Sequence, residues 1–186
     1  MKQLRYVILS LALLGSAIVA ADDTRMVNFK TCVEKSKLGK QEQSAFEALK
    51  KQMEGNLAER EKTINEMAAK FENSDFLDSL SEDAEVKLKR EFRAISQEYS
   101  QIQNQYLQAL QQTNYKVVQK LTEVVRKASE KFASRNRVDF ILNDEAAFYA
   151  APAKDISTQI IAIMDEMFES DASLKEGVVP SFDAKK

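Results

Sequence analysis

The side chains that carry most enzyme chemistry are missing or isolated in this 186-residue chain. It has no histidine and one cysteine, Cys32. That removes the usual general base, the commonest metal ligand and every Ser-His or Cys-His nucleophile. Paired carboxylates are the remaining catalytic device, but the acidic residues scatter along helix faces, as solvated charges do. There is no glycine-rich phosphate loop, zinc spacing or calcium loop. The sequence therefore reads as a non-enzyme without cofactor or metal. A lone cysteine cannot close an intramolecular disulfide. A reactive thiol or an intersubunit bridge is conceivable, but its place on a short helix predicts a small apolar packing residue.

Apolar contact is the chemistry that remains, and one long segment carries most of it. Residues 40–135 hold a single glycine, Gly55, and no proline. Their apolar residues recur at threes and fours, the period of a helix face. The outgoing seam is Phe46, Leu49, Met53, Leu57, Ile64, Met67 and Phe71. The return seam runs Leu88, Phe92, Ile95, Tyr99, Ile102, Tyr106 and Leu110, then Val117, Leu121, Val124, Ala128 and Phe132. Steps of 7 residues alternate with one 11-residue step on each side, Phe46 to Leu57 and Tyr106 to Val117. A 7-residue step makes a left-handed coiled coil and an 11-residue step locally unwinds it. Two interruptions at comparable distances from the turn predict an antiparallel pair in register. A paired arm of some 35 residues is about 50 Å long.

Asn, Ser and Asp cluster at Asn73–Leu80 and place the turn there. Ser79 with Glu82 has capping-box spacing and would start the return helix. At this tip Phe76, Leu77 and Leu80 lie outside the seam, so either they touch a partner or they pack across the turn. Tyr99 and Tyr106 are further contact candidates, although seam tyrosines usually pack, with their hydroxyls reaching water.

Short strand-like segments flank the arm. Residues 24–29 form the first, 138–143 the second and 146–150 a third. A brief helix over 30–37 would follow the first strand and end at Gly39 as its C′ residue. Pro152 closes the third strand, and Asp155 caps a last helix over 156–168. Residues 169–186 are polar and read as a disordered tail. The fold class is α+β and predominantly helical: a long antiparallel coiled-coil hairpin arm on a small β head, one domain over residues 22–168. Three short strands leave open edges, which invite pairing with another chain. Disulfides and metals are excluded as staples, so closed symmetric association is expected. The strand residues Val27, Phe29, Phe140, Leu142, Phe148 and Tyr149 are the candidates for contact between copies.

Residues 1–21 read as a removable export signal. Lys2 and Arg5 precede the uncharged stretch from Tyr6 to Ala21, and Val19-Ala20-Ala21 places cleavage before Asp22. The apolar run is short for a membrane anchor, which needs about 20 residues. Removing the signal leaves 25 basic against 29 acidic residues, which is no nucleic-acid signature.

The order of these parts resembles the Skp/OmpH family of periplasmic chaperones. Val27-Asn28-Phe29 is similar to that family's first strand. Gly39 sits where its first helix gives way to the hairpin. Asp139 to Asp144 looks like its strand after the hairpin, and Phe148-Tyr149-Ala150 with Lys154-Asp155-Ile156-Ser157 looks like its ending. The resemblance implies a trimer, with a β-barrel-like body joined from three heads and three arms around a cavity. It implies an ATP-independent holdase that keeps unfolded outer-membrane proteins from aggregating in the periplasm. The alternative is an exported coiled-coil spacer without clients. One departure stands out. Phe71–Val86 carries Glu72, Asp75, Asp78, Glu82, Asp83 and Glu85 and no Lys or Arg. An acidic tip argues against attraction to anionic membrane or lipopolysaccharide. Positive charge lies instead on the lower return helix, at Lys116, Lys120, Arg126, Lys127, Lys131, Arg135 and Arg137.

Overall fold

A computed structural model describes residues 23–180. The export-signal reading and its cleavage site fall on residues outside that range, as do residues 181–186.

Strand β1 (Thr24–Val27) pairs in parallel with β2 (Phe140–Asn143), Thr24 opposite Phe140 and Val27 opposite Asn143. Parallel strands need a long crossover, and here the crossover is the whole hairpin. Asp23 anchors the entry to the sheet. Its carbonyl accepts the N–H of Asp139 (3.1 Å), and its carboxylate takes Arg25 (2.8 Å) and Lys154 (3.2 Å). The other edge of β1 meets the chain near Asp155, where the N–H of Ile156 donates to the carbonyl of Met26 at 2.9 Å. Thus β1 has neighbours on both sides, while β2 has none beyond β1 among the described residues.

The expected third strand over 146–150 is not formed. Residues Asp144–Ala146 make a single 3-10 turn, and the following residues run on without a ladder partner. Nor does the first strand extend to Phe29. The side-chain oxygen of Asn28 accepts the N–H of Thr31 (2.6 Å) and starts helix α1 (Phe29–Lys35) one residue earlier.

Gly39 does not end that helix. Ser36, with extended backbone (φ −69°, ψ 154°), both terminates α1 and caps α2 (Lys37–Glu72), its Oγ accepting the N–H of Gly39 at 3.1 Å. Gly39 lies inside the first turn of α2, pressed on the end of α1. A Cβ there would sit 1.8 Å from the carbonyl oxygen of Val33. The glycine is required by close approach, not by a left-handed turn.

At the tip Asn73 caps a short helix α3 (Ser74–Asp78), and Ser81, not Ser79, caps the return helix α4 (Glu82–Asn136). Ser79 Oγ donates instead to the carbonyl of Phe76 at 2.6 Å, closing α3. The two long helices lie antiparallel. Glu42 faces Lys120, Asn56 faces Tyr106, Arg60 faces Glu98 and Phe71 faces Phe92. The two 11-residue steps therefore meet at one level, where Leu49, Met53 and Tyr106 form a buried cluster. The return step is bridged by Thr113, a buried residue outside the expected seam. Arg137 adopts a left-handed conformation (φ 55°, ψ 45°) and ends α4.

Helix α5 (Ser157–Ser170) closes the head. Asp155, expected as its N-cap, stands one residue before the observed N-cap, Ile156, and its Oδ1 accepts the N–H of Ser157 at 2.8 Å. Ile160, Ile163 and Met164 pack with Cys32, Leu38 and Leu121 in the main core. Residues 171–180, beyond α5, are not a loose tail. Asp171 caps helix α6 (Ala172–Lys175), and residues 176–180 continue along the root of the hairpin.

Two glycine substitutions separate packing from propensity. Gly39→Ala should lose at least about 1–3 kcal/mol, the range for overpacking, because a backbone carbonyl stands in the way. Gly55→Ala meets nothing within 4 Å and should gain roughly 0.5–1 kcal/mol. Urea melts at one fixed protein concentration check both. Equal effects at the two positions would overturn the close-approach account.

Candidate functional site

The surfaces available for recognition lie on the head, along the arm and at the hairpin root. On the head, Phe140 and Leu142 are 54% and 42% exposed, and Phe148 and Tyr149 project fully or nearly so. Two of these exposed side chains thus lie on the open-edged strand β2, and two follow it in the chain. Beside them a groove of about 370 Å³ is lined by Phe29, Val125, Ile141 and Leu142. Two of the six contact residues expected from sequence do not belong to this exposed set. Val27 is 3% exposed and sits in the protomer core, because β1 is the inner strand. Phe29 is half-buried as the first residue of α1, packed against that core.

On the arm, Phe76, Leu77 and Leu80 are half-buried at the tip. Just below them the rings of Phe71 and Phe92 meet edge to face, 5.4 Å between centroids. Tyr99 is half-buried on the seam. Tyr106 is 5% exposed, its hydroxyl accepting from Asn56 Nδ2 at 3.3 Å. It is a packing residue and not an exposed contact. Exposed apolar side chains that sequence reasoning missed lie lower on α4: Leu107, Tyr115 and Val118. Their spacing of 8 and 3 puts them on one helical face, outside the seam.

Cys32 is fully buried in the head core. Desolvation pushes its thiol up to about 11, and the nearby carboxylates of Asp155 and Asp144 push the same way. At neutral pH it is a protonated packing group with little thiolate for redox or nucleophilic chemistry. Among the described residues, no group of three or more His, Cys, Asp or Glu side chains could hold a metal ion.

The root carries the most buried charge. Glu42 is completely buried and takes Lys120 Nζ at 2.8 Å, the lysine side chain being 13% exposed. Sequence reasoning counted Lys120 only among the positive charges of the lower return helix. The missed signal is phase: Glu42 stands four residues before Phe46, in step with the outgoing seam.

Comparisons with known proteins agree with this architecture. The family described as outer membrane protein (OmpH-like) matches residues 24–164. A Skp-like protein of Chlamydia pneumoniae is 38% identical over 159 residues, covering 86% of this chain and 93% of that protein. A second Skp-like protein, from Chlamydia muridarum (strain MoPn / Nigg), is 33% identical over 171 residues, covering 90% of this chain and 99% of that one. The chain belongs to the Skp/OmpH family. A crystal structure described as an outer membrane chaperone (OmpH-like) from Caulobacter crescentus CB15 shares the fold, with a TM-score of 0.70 at 16% identity over 83% of this chain and 90% of that one.

Within the Skp/OmpH frame this chain shows two electrostatic particulars. The tip carboxylates Asp75, Asp78, Glu82 and Asp83 are exposed, with no neighbouring cation between residues 71 and 86. The basic face of α4 is partly neutralised. Arg126 bonds Glu123 (2.7 Å) and also Glu130, and Lys127 approaches Glu123 at 3.6 Å. The Arg126 guanidinium holds the Glu123 carboxyl down at about 2. Lys116, Lys131, Arg135 and Arg137 remain exposed. The family match also stops at residue 164, before the segment that lies along the root.

Breaking the buried pair with Lys120→Met should cost about 3–5 kcal/mol, since it strands a carboxylate in the interior. The double change E42M/K120M should recover most of that loss. A single variant as stable as the parent in a urea melt would show the pair to be solvated. For Cys32, alkylation by iodoacetamide at pH 8 should be slow until denaturant is added. The folded thiol titrates above its unfolded counterpart. Its contribution is therefore complete below about pH 9 and is lost as pH rises from there toward 11. Fast labelling of the folded protein would overturn this.

Proposed function

We propose that this chain is an ATP-independent holdase of the periplasm that binds unfolded outer-membrane proteins and keeps them from aggregating. It works as a trimer whose heads join through strand edges and whose arms surround the client. One observation carries this reading: the open-edged strand β2 bears exposed Phe140 and Leu142, and Phe148 and Tyr149, which follow it in the chain, are exposed as well. An unpaired strand edge with apolar flanks is a template for another strand. Membership of the Skp/OmpH family and the fold shared with an OmpH-like chaperone support the same assignment.

The arm suits promiscuous holding. A client in transit exposes apolar segments of many sequences. A wall with scattered exposed apolar residues, such as Leu107, Tyr115 and Val118, meets them by weak, unspecific contacts. The acidic tip keeps the open end away from anionic surfaces at close range, with exposed charges screened beyond a Debye length of about 8 Å.

The assembly can be separated from the protomer fold. Phe140→Asp leaves the protomer core untouched, because the ring is exposed within one chain. In an assembled body it would bury a charge. Native mass spectrometry should show trimers for the parent and monomers for the variant, with circular dichroism unchanged. Light scattering should show that the parent suppresses aggregation of a urea-denatured outer-membrane barrel diluted into buffer. A monomeric parent that suppresses aggregation would sink the shared-head part. A trimer without suppression would sink the holdase assignment.

A further inference from the structure

The carboxy-terminal segment is gripped by its main chain. Lys120 Nζ donates to the carbonyls of Leu174 (3.0 Å) and Glu176 (2.6 Å), alternate residues of the tail. Glu42, through the carboxylate oxygen that does not take Lys120, accepts the N–H of Val178 at 3.3 Å. Gln41 Nε2 donates to the carbonyl of Lys175 at 3.0 Å. None of these bonds depends on which side chain the tail carries. Two side chains of this stretch also pack: Leu174 against the main core at the root, and Val179 on the Leu49, Met53 and Tyr106 cluster.

The hairpin itself explains the socket for Val179. Both seams change phase at this level, so the apolar face is wider than one facing helix covers. Val179 fills what the partner helix leaves open. Donors for the carbonyls at the end of α6, an acceptor for the N–H of Val178 beyond it and an apolar socket hold a peptide largely through its backbone.

We propose that the hairpin root is a binding site for short apolar segments of unfolded chains, occupied at rest by the protein's own tail, Asp171–Pro180. A client must displace the tail to bind there. The proposal rests on the holdase reading and adds to it a site and a built-in competitor. A tail docked nine-tenths of the time lowers the apparent affinity of this site roughly tenfold.

The test uses the chain from Asp22 in three forms: full length, ending at Ser170, and full length with Val179→Asp. That substitution puts a charge on the apolar cluster and ejects the tail without removing it. The probes are a fluorescent peptide of residues 171–186 and a urea-denatured outer-membrane barrel. The shortened chain should bind the peptide at least tenfold tighter than the full chain does, and the barrel should compete it off. Both altered chains should bind the barrel about tenfold tighter than the parent. If the shortened chain fails to fold by circular dichroism, Val179→Asp decides. Barrel affinity equal across the folded forms overturns the proposal, as does peptide binding that the barrel does not compete. A parent that binds no barrel sinks the holdase reading instead, and peptide capture by the altered chains then decides the root site by itself.

Discussion

Two helices lying side by side can bury only one stripe each, and this limit governs the molecule. Along the outer arm most seam residues, such as Ile64, Ile95 and Tyr99, are only half-buried. The full burial seen for Leu121, Val124 and Ala128 occurs at the root, where α1 and α5 add a second and third wall. Few buried contacts mean low local stability. The arm is thus lightly held over its length and firmly held at its base. That gradient follows from geometry, since nothing but the facing helix covers the seam beyond the reach of the head and tail.

Charge does not make up the difference. Three exposed pairs of the arm, Lys50 with Glu54, Lys62 with Glu66 and Lys89 with Glu85, are local i,i+4 contacts, and exposed Arg60 with Glu98 crosses between the helices. Each is worth a few tenths of a kcal/mol at most and is screened by salt. They keep a long two-helix surface soluble and leave its other faces unclaimed. Glu42 and Lys120 differ because they are buried, span the hairpin and bind the tail at once. A pair of that kind is a weak source of net stability but a strong penalty for rearrangement. It fixes which residues of the two helices meet at the root, and hence the register of everything farther out.

The hairpin was legible because its signal is repeated many times. A dozen seam residues on α4 vote for one period, and the matching 11-residue steps even predicted the level at which the helices change phase. Features that rest on a single residue were read less well. Ser79 and Ser81 stand two apart, and the capping-box spacing favoured the one whose hydroxyl is spent on Phe76. Gly39 follows a helix and looks like a stop, yet its role depends on Val33 across a fold that no local pattern reports. Residues 146–150 have strand composition but no partner within the described chain, and composition cannot supply one. Val27 alternates correctly for a strand, but whether that strand is inner or edge is a matter of topology. Residues 171–180 were misread for a related reason: their polarity is real, while much of their attachment is through main-chain atoms that every sequence has.

The head and the arm are joined so that one cannot be oriented without the other. Only Arg137 to Asp139 separate the end of α4 from the start of β2. Arg137 turns the chain with a left-handed backbone, and Asp139 is tied on both sides to Asp23, through its N–H at 3.1 Å and its carboxylate at 2.9 Å. A linker this short and this bonded has little freedom. Any strand that completes the open edge of β2 would therefore set the direction of the 55-residue helix before it. Because α2 is packed to α1 through the Gly39 contact, the outgoing helix must follow. The placement of the arms around a client is thus decided at the strand edge, and small errors there would be magnified along the length of the arm.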